Sequence, residues 1–545
     1  MASNSIVPLK YQPPLPMDRL ILNEAPGDEA LPMDVLIVGA GPAGLACAIK
    51  LKQLAQAAGT EVEVGVLEKA AELGGHCLSG AVINPRSLRE LFPGMPDSDF
   101  PFRRPVASDA VYLLTSSGQV KLPTPPTMNN HGNFVASICE VVRWLGEQAE
   151  GLGVNLFPGY PADSLLVEGS RVLGVRTTPA GLERDGSTGG NFTPPTDVAA
   201  QVTVLAEGTR GTLTQGFLHW QQIPSPNPQI YALGVKEIWE TRKAPGGVVH
   251  TMGWPLPTDA FGGSFLYPMA DNLVAFGLVV GLDYHQAALD VHGLLQRLKQ
   301  HPLFAQYLMD GTIVEWGAKT IPEGGLHSLP ARFCGDGALV VGDAAGLVDV
   351  PSLKGIHYAV QSGIYAAEAI FEALQRGDTA GAVLGAYDLK LRNSYVYSDL
   401  HKTRNMRLAF KGGFYAGGFQ AGLMTITGGS FPGGKITVPE DAAVAKAVNG
   451  AGEPLPKDAI SKLDAVYRSG NQTRDDIPVH LVVGQDIPPE VADFYSHMCP
   501  AGVYERSGDT LVVNAPNCVD CKATDVLGPR WTPREGGSGP SYKRM

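Results

Sequence analysis

The sequence predicts a mixed α/β protein built on a doubly wound sheet that the chain enters more than once. Three observations predict it. A short apolar run, Val35-Leu36-Ile37-Val38, enters the glycine pattern Gly39-Ala40-Gly41-Pro42-Ala43-Gly44. A second strand-like run over 62–67 ends in Glu68, about 20 residues further on, the spacing at which an acidic residue meets a ribose. Two later apolar runs, 202–208 and 337–346, also enter glycine turns, and the second carries the pair Gly342-Asp343.

Each element has a physical reason. A four-residue apolar run bounded by glycine fits a buried parallel strand, and 45–54 reads as the helix after it. Glycines between them let the backbone turn tightly, approach a pyrophosphate and pack helix on strand. The helix N-terminus then offers unpaired N–H groups to that phosphate. Gly39, Gly41, Gly44 and Glu68 are therefore candidate nucleotide-binding residues, with a solvated strand end as the plainer reading of Glu68. Flavoproteins of the glutathione-reductase type carry a comparable Gly-Asp pair. That resemblance implies that Gly342 and Asp343 bind FAD, with the Asp343 carboxylate accepting from ribityl hydroxyls. A simple helix cap is the alternative for Asp343. FAD is the expected cofactor.

Composition narrows the function. At 545 residues the chain can form several domains with a large core. Its net charge of -12 argues against nucleic acid as a partner. Seven cysteines in this length do not make a disulfide framework, so a reducing compartment is expected. The first thirty residues include Asp18, Glu24, Asp28 and Glu29 and lack the marks of a signal or transit peptide. No run of about 18 apolar residues appears, so membrane contact is expected to be peripheral or monotopic.

The tail nearly spells an iron–sulfur site. Ferredoxin-type clusters take thiolates from a C-x2-C-x2-C run and a remote cysteine followed by proline. Here Cys499-Pro500 precedes a short predicted strand over 511–514, and Cys518-Val519-Asp520-Cys521 follows. The run should finish at position 524, which is Thr524. Cys499, Cys518 and Cys521 are candidate metal ligands one short of the usual four. Zinc with His497 as fourth ligand is the competing reading.

The chain resembles one family over roughly residue 33 onward: electron transfer flavoprotein–ubiquinone oxidoreductase. The resemblance is carried by His76-Cys77-Leu78-Ser79-Gly80-Ala81, Met128-Asn129-Asn130-His131-Gly132-Asn133, Gly262-Gly263-Ser264-Phe265-Leu266-Tyr267, Cys499-Pro500-Ala501-Gly502-Val503-Tyr504-Glu505 and Glu535-Gly536-Gly537-Ser538-Gly539-Pro540. It implies an electron-transferring-flavoprotein dehydrogenase that passes electrons from reduced electron transfer flavoprotein through a [4Fe–4S] cluster and FAD to ubiquinone. It further implies that Cys499, Cys518 and Cys521 match three cluster ligands and that Gly262 and Gly263 line a quinone pocket. Lys522-Ala523-Thr524-Asp525 stands where the family places Lys-Thr-Cys-Asp. Membrane-facing parts are expected at 74–94 and 410–431, touching one leaflet without spanning it. The cytoplasmic face of a bacterial inner membrane is the expected location.

The resulting expectation is an FAD-binding domain of the glutathione-reductase type, discontinuous over 33–110, 135–215 and 312–400. A β-rich quinone domain takes 111–134 and 216–311, a membrane-facing segment and linker 401–456, and a half-ferredoxin iron–sulfur domain 457–545. Phe134, Ile138, Val141, Val142, Leu145 and Ala149 predict an amphipathic helix. Cys47, Cys139 and Cys334 read as structural, and Cys77 receives no catalytic role. The alternatives are a flavoprotein reductase of an isoprenoid double bond, which has no need of the cysteine tail, and a non-catalytic paralogue with an altered cluster domain.

Overall fold

The computed structural model describes residues 5–431, 433–448 and 454–545. Its first sheet is built around parallel strands in the spatial order Asn155–Pro158, Val64–Glu68, Leu31–Val38, Asp197–Leu205. The strand Ala338–Val340 continues this parallel set beside the C-terminal half of Asp197–Leu205. Antiparallel strands Arg171–Thr177 and Ala162–Glu168 extend the sheet from the other half. Central residues such as Leu36, Val66 and Val204 are buried on both faces, as parallel sheets require.

The predicted helix at 45–54 is longer, Pro42–Ala58. Proline at its first position needs no N–H partner, and Gly59 ends it in the left-handed region at φ +65°. Against it lies Ile356–Arg376, close enough that a Cβ on Gly363 would overlap the carbonyl oxygen of Ala43. The amphipathic helix runs Ile138–Gly151 and starts after Phe134 because the Ser137 hydroxyl caps it, accepting from the Glu140 N–H. Phe134 belongs to the strand Phe134–Val135 instead.

The second sheet is mainly antiparallel, in the order Thr312–Pro322, Tyr231–Glu240, Leu273–Gly281, Gly262–Pro268, Val248–Gly253, Asp109–Leu114, Gln119–Leu122. One expected boundary moves. Residues 312–322, assigned from sequence to the flavin unit, form an edge strand of this sheet, paired from Tyr231↔Pro322 to Glu240↔Thr312. That pairing covers the edge of a long buried strand and puts Trp316 into the core.

Residues 457–545 share that core. Phe494, Tyr495, Val519 and Trp531 pack in one apolar cluster with Val274, Phe276 and Trp316. The predicted strand at 511–514 is Thr510–Val513, in a hairpin with Tyr504–Ser507. In 410–431 the main element is the helix Phe414–Ile426. Of the membrane-facing segment and linker expected over 401–456, residues 432 and 449–453 lie outside the described residues. The segment 74–94 supplies no exposed large apolar side chain. Gly74, Cys77, Leu78 and Val82 line a cavity.

Gly363→Ala is expected to destabilise the protein by about 1–3 kcal/mol, because backbone rather than a movable side chain blocks the methyl group. A lower apparent melting temperature by differential scanning fluorimetry checks it.

Candidate functional site

A single cavity of about 830 Å³ lies between the two sheets. Gly39, Gly41, Glu68 and Asp343 line it, and so do Gly262 and Gly263. Gly44 and Gly342 are not in its wall.

The glycine turn divides its labour. A Cβ on Gly39 would overlap the Ala206 carbonyl oxygen, and one on Gly44 would overlap that of Gly39. Both positions need hydrogen because backbones touch there. A Cβ on Gly41 would meet no protein atom within 4 Å, so this glycine faces open space at the N-terminus of the helix Pro42–Ala58. That is the room a pyrophosphate needs. Glu68 stands at the end of its strand, its carboxylate accepting from the Ala40 N–H at 3.0 Å and the Ala70 N–H at 2.9 Å. Gly342, at φ +63°, starts a 3₁₀ turn over Gly342–Ala345 and packs against Ala43. Asp343 follows it into the cavity wall, where burial pushes its carboxyl up to about 6 against the pull of Lys319.

At the other sheet, Gly262 and Gly263 open the strand Gly262–Pro268. Added Cβ atoms would overlap the carbonyl oxygens of Val279 and Thr251 on the flanking strands. Beyond them the wall is made by Phe410, Phe414, Tyr415, Gly418, Ala421 and Gly422. The helix Phe414–Ile426 thus lines the cavity on one face. On the other it exposes Phe419 (70%) and Ile426 (83%) to solvent.

A charged group supports this end of the cavity and was missed from sequence. Arg407 is buried; it donates through Nε to Glu323 at 2.6 Å and through Nη2 to Asp283 at 2.9 Å, and lies over the Phe261 ring at 4.1 Å. Lys411 reaches Asp283 at 2.6 Å. Burial opposes ionisation of Asp283, but Arg407 and Lys411 hold it well below the usual carboxylate range. Burial raises Glu323, with Arg407 acting against it. The available signal was a lone arginine inside the apolar run Met406-Arg407-Leu408-Ala409.

The three tail cysteines come together. Cys499 ends the helix Pro489–Met498, Cys518 follows the turn Ala515–Asn517, and Cys521 precedes the helix Ala523–Leu527. All three thiols are free, buried and in the wall of one small void, with Tyr504 and Thr524 beside them. Burial raises all three, Cys518 to about 12, while backbone N–H groups of Ala501, Val503, Asp520 and Ala523 point at the sulfurs and favour thiolate. Buried thiols ringed by amide donors suit a metal–sulfur group. His497 is not in this wall, and its ring Nδ1 meets the Asp493 carbonyl at 2.7 Å.

The cysteine loop is clamped to the large cavity. Asp520 accepts from Lys69 at 2.7 Å, from Arg534 at 2.9 Å and from the Trp531 indole at 3.0 Å. The Cys521 carbonyl accepts from the Thr320 N–H at 2.9 Å. Lys69, Lys319, Lys522 and Trp531 all line the cavity, and Lys522 also lines the cysteine void. Spacing alone assigned none of these connecting residues.

A dinucleotide-type sheet whose cavity wall is shared with a buried three-cysteine site defines a class: a flavoprotein-type oxidoreductase with an iron–sulfur-type tail. Comparison with known proteins narrows the class. Family models described as ETF-QO, ubiquinone-binding, and as electron transfer flavoprotein-ubiquinone oxidoreductase, 4Fe-4S, match residues 231–321 and 457–543. An NAD(P)-binding Rossmann-like domain matches residues 37–93. Electron transfer flavoprotein-ubiquinone oxidoreductase of Pseudomonas aeruginosa is 38% identical, over 95% of this chain and 100% of that one. The mitochondrial protein of that name from Oryza sativa is 39% identical, over 95% of this chain and 94% of that one. The chain belongs to the electron transfer flavoprotein–ubiquinone oxidoreductase family.

Among solved structures, a geranylgeranyl bacteriochlorophyll reductase-like protein from Thermoplasma acidophilum aligns with a TM-score of 0.58 at 19% identity. It covers 73% of this chain and 92% of that one. A flavin-dependent brominase aligns at a TM-score of 0.50 and 18% identity, over 73% of this chain and 94% of that one. Both show a shared fold.

Arg407→Leu is expected to cost about 3–5 kcal/mol at neutral pH, since it strands the buried Glu323 carboxylate and leaves Asp283 with Lys411 alone. In wild type, the contribution of Asp283 is present above the ordinary carboxylate pKa and is lost as pH falls through its depressed folded value. In the variant Glu323 loses the cation it bonds while Asp283 keeps Lys411, so the buried Glu323 carboxyl takes up its proton at higher pH than in the unfolded chain and that site gains stability on acidification. The gap in melting temperature between the two proteins should therefore narrow between about pH 7 and about pH 5.

Proposed function

We propose that this chain is a membrane-associated oxidoreductase that takes electrons from reduced electron transfer flavoprotein and passes them, through an iron–sulfur cluster and FAD, to ubiquinone. One observation carries the reading. The same cavity touches the dinucleotide turn at Gly41, the strand glycines Gly262 and Gly263, the cysteine-loop neighbours Lys522 and Trp531, and the apolar helix Phe414–Ile426.

The residues divide as follows. The open space at Gly41 and the helix N-terminus behind it receive the pyrophosphate. Glu68 takes the ribose and Asp343 the ribityl chain, each as a hydrogen-bond acceptor. Gly39, Gly44 and Gly342 hold strand, turn and helix close enough to form that cradle. Bound FAD supplies the ability to exchange single electrons with a cluster and two with a quinone. Cys499, Cys518 and Cys521 hold the cluster, on a loop whose Asp520 is held by Lys69 and Arg534. Gly262 and Gly263 leave the cavity wall flat, so a quinone ring reaches backbone with no side chain between.

The architecture follows the same division. The flavin unit takes 33–110, 135–215 and the part of 312–400 after the edge strand, in the manner of glutathione reductase. The quinone unit takes 111–134 and 216–311 with that edge strand added. Residues 457–545 form a half-ferredoxin unit whose core merges with the quinone unit.

Among the described residues no helix is long and apolar enough to cross a membrane. The helix Phe414–Ile426 is the candidate contact with one leaflet. Tyr415, Phe419, Ile426 and Phe431 are exposed on or just after it, and 412–434 contains no charged residue. Such a face enters the acyl boundary of one leaflet without spanning it. A quinone with an apolar tail then reaches the ring site along the wall formed by Gly418, Ala421 and Gly422. The cytoplasmic leaflet of a bacterial inner membrane is the proposed setting.

Two measurements test this. FAD-loaded, cluster-containing protein should reduce a soluble short-tailed quinone when supplied with reduced electron transfer flavoprotein; absence of turnover with both cofactors in place sinks the reading. Phe419→Asp with Ile426→Asp, neither in the cavity wall, should weaken sedimentation with phosphatidylcholine vesicles by at least about tenfold, given the transfer energy of two large apolar side chains. Turnover of the soluble quinone should be preserved in that double variant.

A further inference from the structure

We propose that the cluster of this chain is bound by three protein thiolates only, and that its fourth iron carries an exchangeable external oxygen or thiol ligand. The inference rests on reading the tail as an iron–sulfur site. It concerns the corner at Thr524, where the family pattern places a cysteine.

Every oxygen donor near that corner is already committed, whereas both ring nitrogens of the buried His480 are without a hydrogen-bond partner among the described residues. The Thr524 hydroxyl lies 2.6 Å from the Tyr504 hydroxyl and 3.2 Å from the Pro529 carbonyl. It donates to the carbonyl and accepts from the phenol, so a neutral, doubly hydrogen-bonded alcohol stands where iron would take an anionic sulfur. The Tyr504 proton is spent on the same bond. Two carboxylates flank the site in sequence, and neither lines the void. Asp520 is held by Lys69, Arg534 and Trp531. Asp525 accepts from Arg210 at 2.9 Å and Gln215 at 3.1 Å, and from the Trp531 N–H at 3.2 Å. Moving either to iron would leave buried cations unpaired, at a cost of several kcal/mol.

His480 is the remaining nitrogen donor. It is buried beside Cys518 and Asp520, with their ligand atoms within 4.8 Å of one another. Cys518 already supplies a thiolate on that side, and His480 does not line the void. The Thr524 corner is therefore left to a ligand from outside the chain. An iron held by three sulfides and an exchangeable ligand leaves more readily than one held by a thiolate. On one-electron oxidation, [4Fe–4S]2+ gives [3Fe–4S]+ and free Fe2+, and the oxidant takes the electron.

The test uses full-length wild type, Thr524→Cys and Thr524→Ala, each reconstituted anaerobically with iron and sulfide and then treated with one equivalent of ferricyanide, the one-electron oxidant. Wild type and Thr524→Ala should each lose one iron and show the EPR signal of an oxidised three-iron cluster. Enriched Fe(II) added with a reductant should then refill that single site by Mössbauer spectroscopy. Thr524→Cys should retain the iron at least about tenfold better, the scale on which even outer-sphere changes alter metal affinity. Should Thr524→Cys fail to fold, wild type still decides: added ethanethiol should change the EPR spectrum of its reduced cluster. Retention of all four irons by wild type overturns the proposal. So does equal loss from Thr524→Cys, or loss from Thr524→Ala alone, which would make the threonine oxygen a ligand. Failure of every variant to bind iron and sulfide overturns the iron–sulfur reading itself.

Discussion

The buried Asp520 carboxylate is the contact on which the rest of the arrangement depends. It sits between two cysteines, nearly inaccessible to water, and accepts hydrogen bonds from Lys69, Arg534 and Trp531. Burial alone would neutralise it, yet Arg534 and Lys69 keep it ionised, well below the usual carboxylate range. Lys69 directly follows Glu68, the last residue of a dinucleotide strand. One carboxylate thus ties the cysteine loop to the first sheet, while the Thr320 N–H ties the same loop to the second. A residue that holds three segments in register sets the separation between redox sites, and electron transfer is sensitive to separation above all.

The cavity follows from that clamp and from glycine. Its walls come from two sheets, so each must present backbone where a ligand approaches. At Gly39, Gly44, Gly262 and Gly263 a methyl group would strike a neighbouring carbonyl, whereas at Gly41 it would project into open space. These are different reasons for the same residue. The strand glycines are required by strand packing whether or not a ligand is bound. Arg407 plays the corresponding part among charges. Together with Lys411 it pairs Asp283 and Glu323 where the cavity turns toward the apolar helix.

Much of the flavin sheet was legible in the chain because parallel strands are buried on both faces and appear as short apolar runs before glycine. The helix at 138–151 was legible from its apolar period, and its start was displaced only by the Ser137 cap. The edge strand Thr312–Pro322 was not assigned correctly. Its alternation of buried and half-exposed residues fits either sheet, and only pairing with Tyr231–Glu240 decides between them. The segment 74–94, expected as a membrane face, exposes no large apolar side chain, and its Gly74, Leu78 and Gly80 line the cavity. The cysteines were visible through spacing, but Lys69 and Lys319, which bond the Asp520 among them, lie hundreds of residues away in sequence.

By itself the sequence determined the chemistry that can occur: a glycine turn with its acidic partner, a Gly-Asp turn, three cysteines and a threonine in place of a fourth. These are local patterns, and their meaning comes from backbone geometry and from donor atoms a few residues apart. Only the tertiary structure decided that both ends meet in one cavity, that Asp520 and Asp525 are consumed by distant cations, and that Thr524 bonds Tyr504 and Pro529. Such facts depend on which segments pack together, and packing is settled by burial summed over the whole chain.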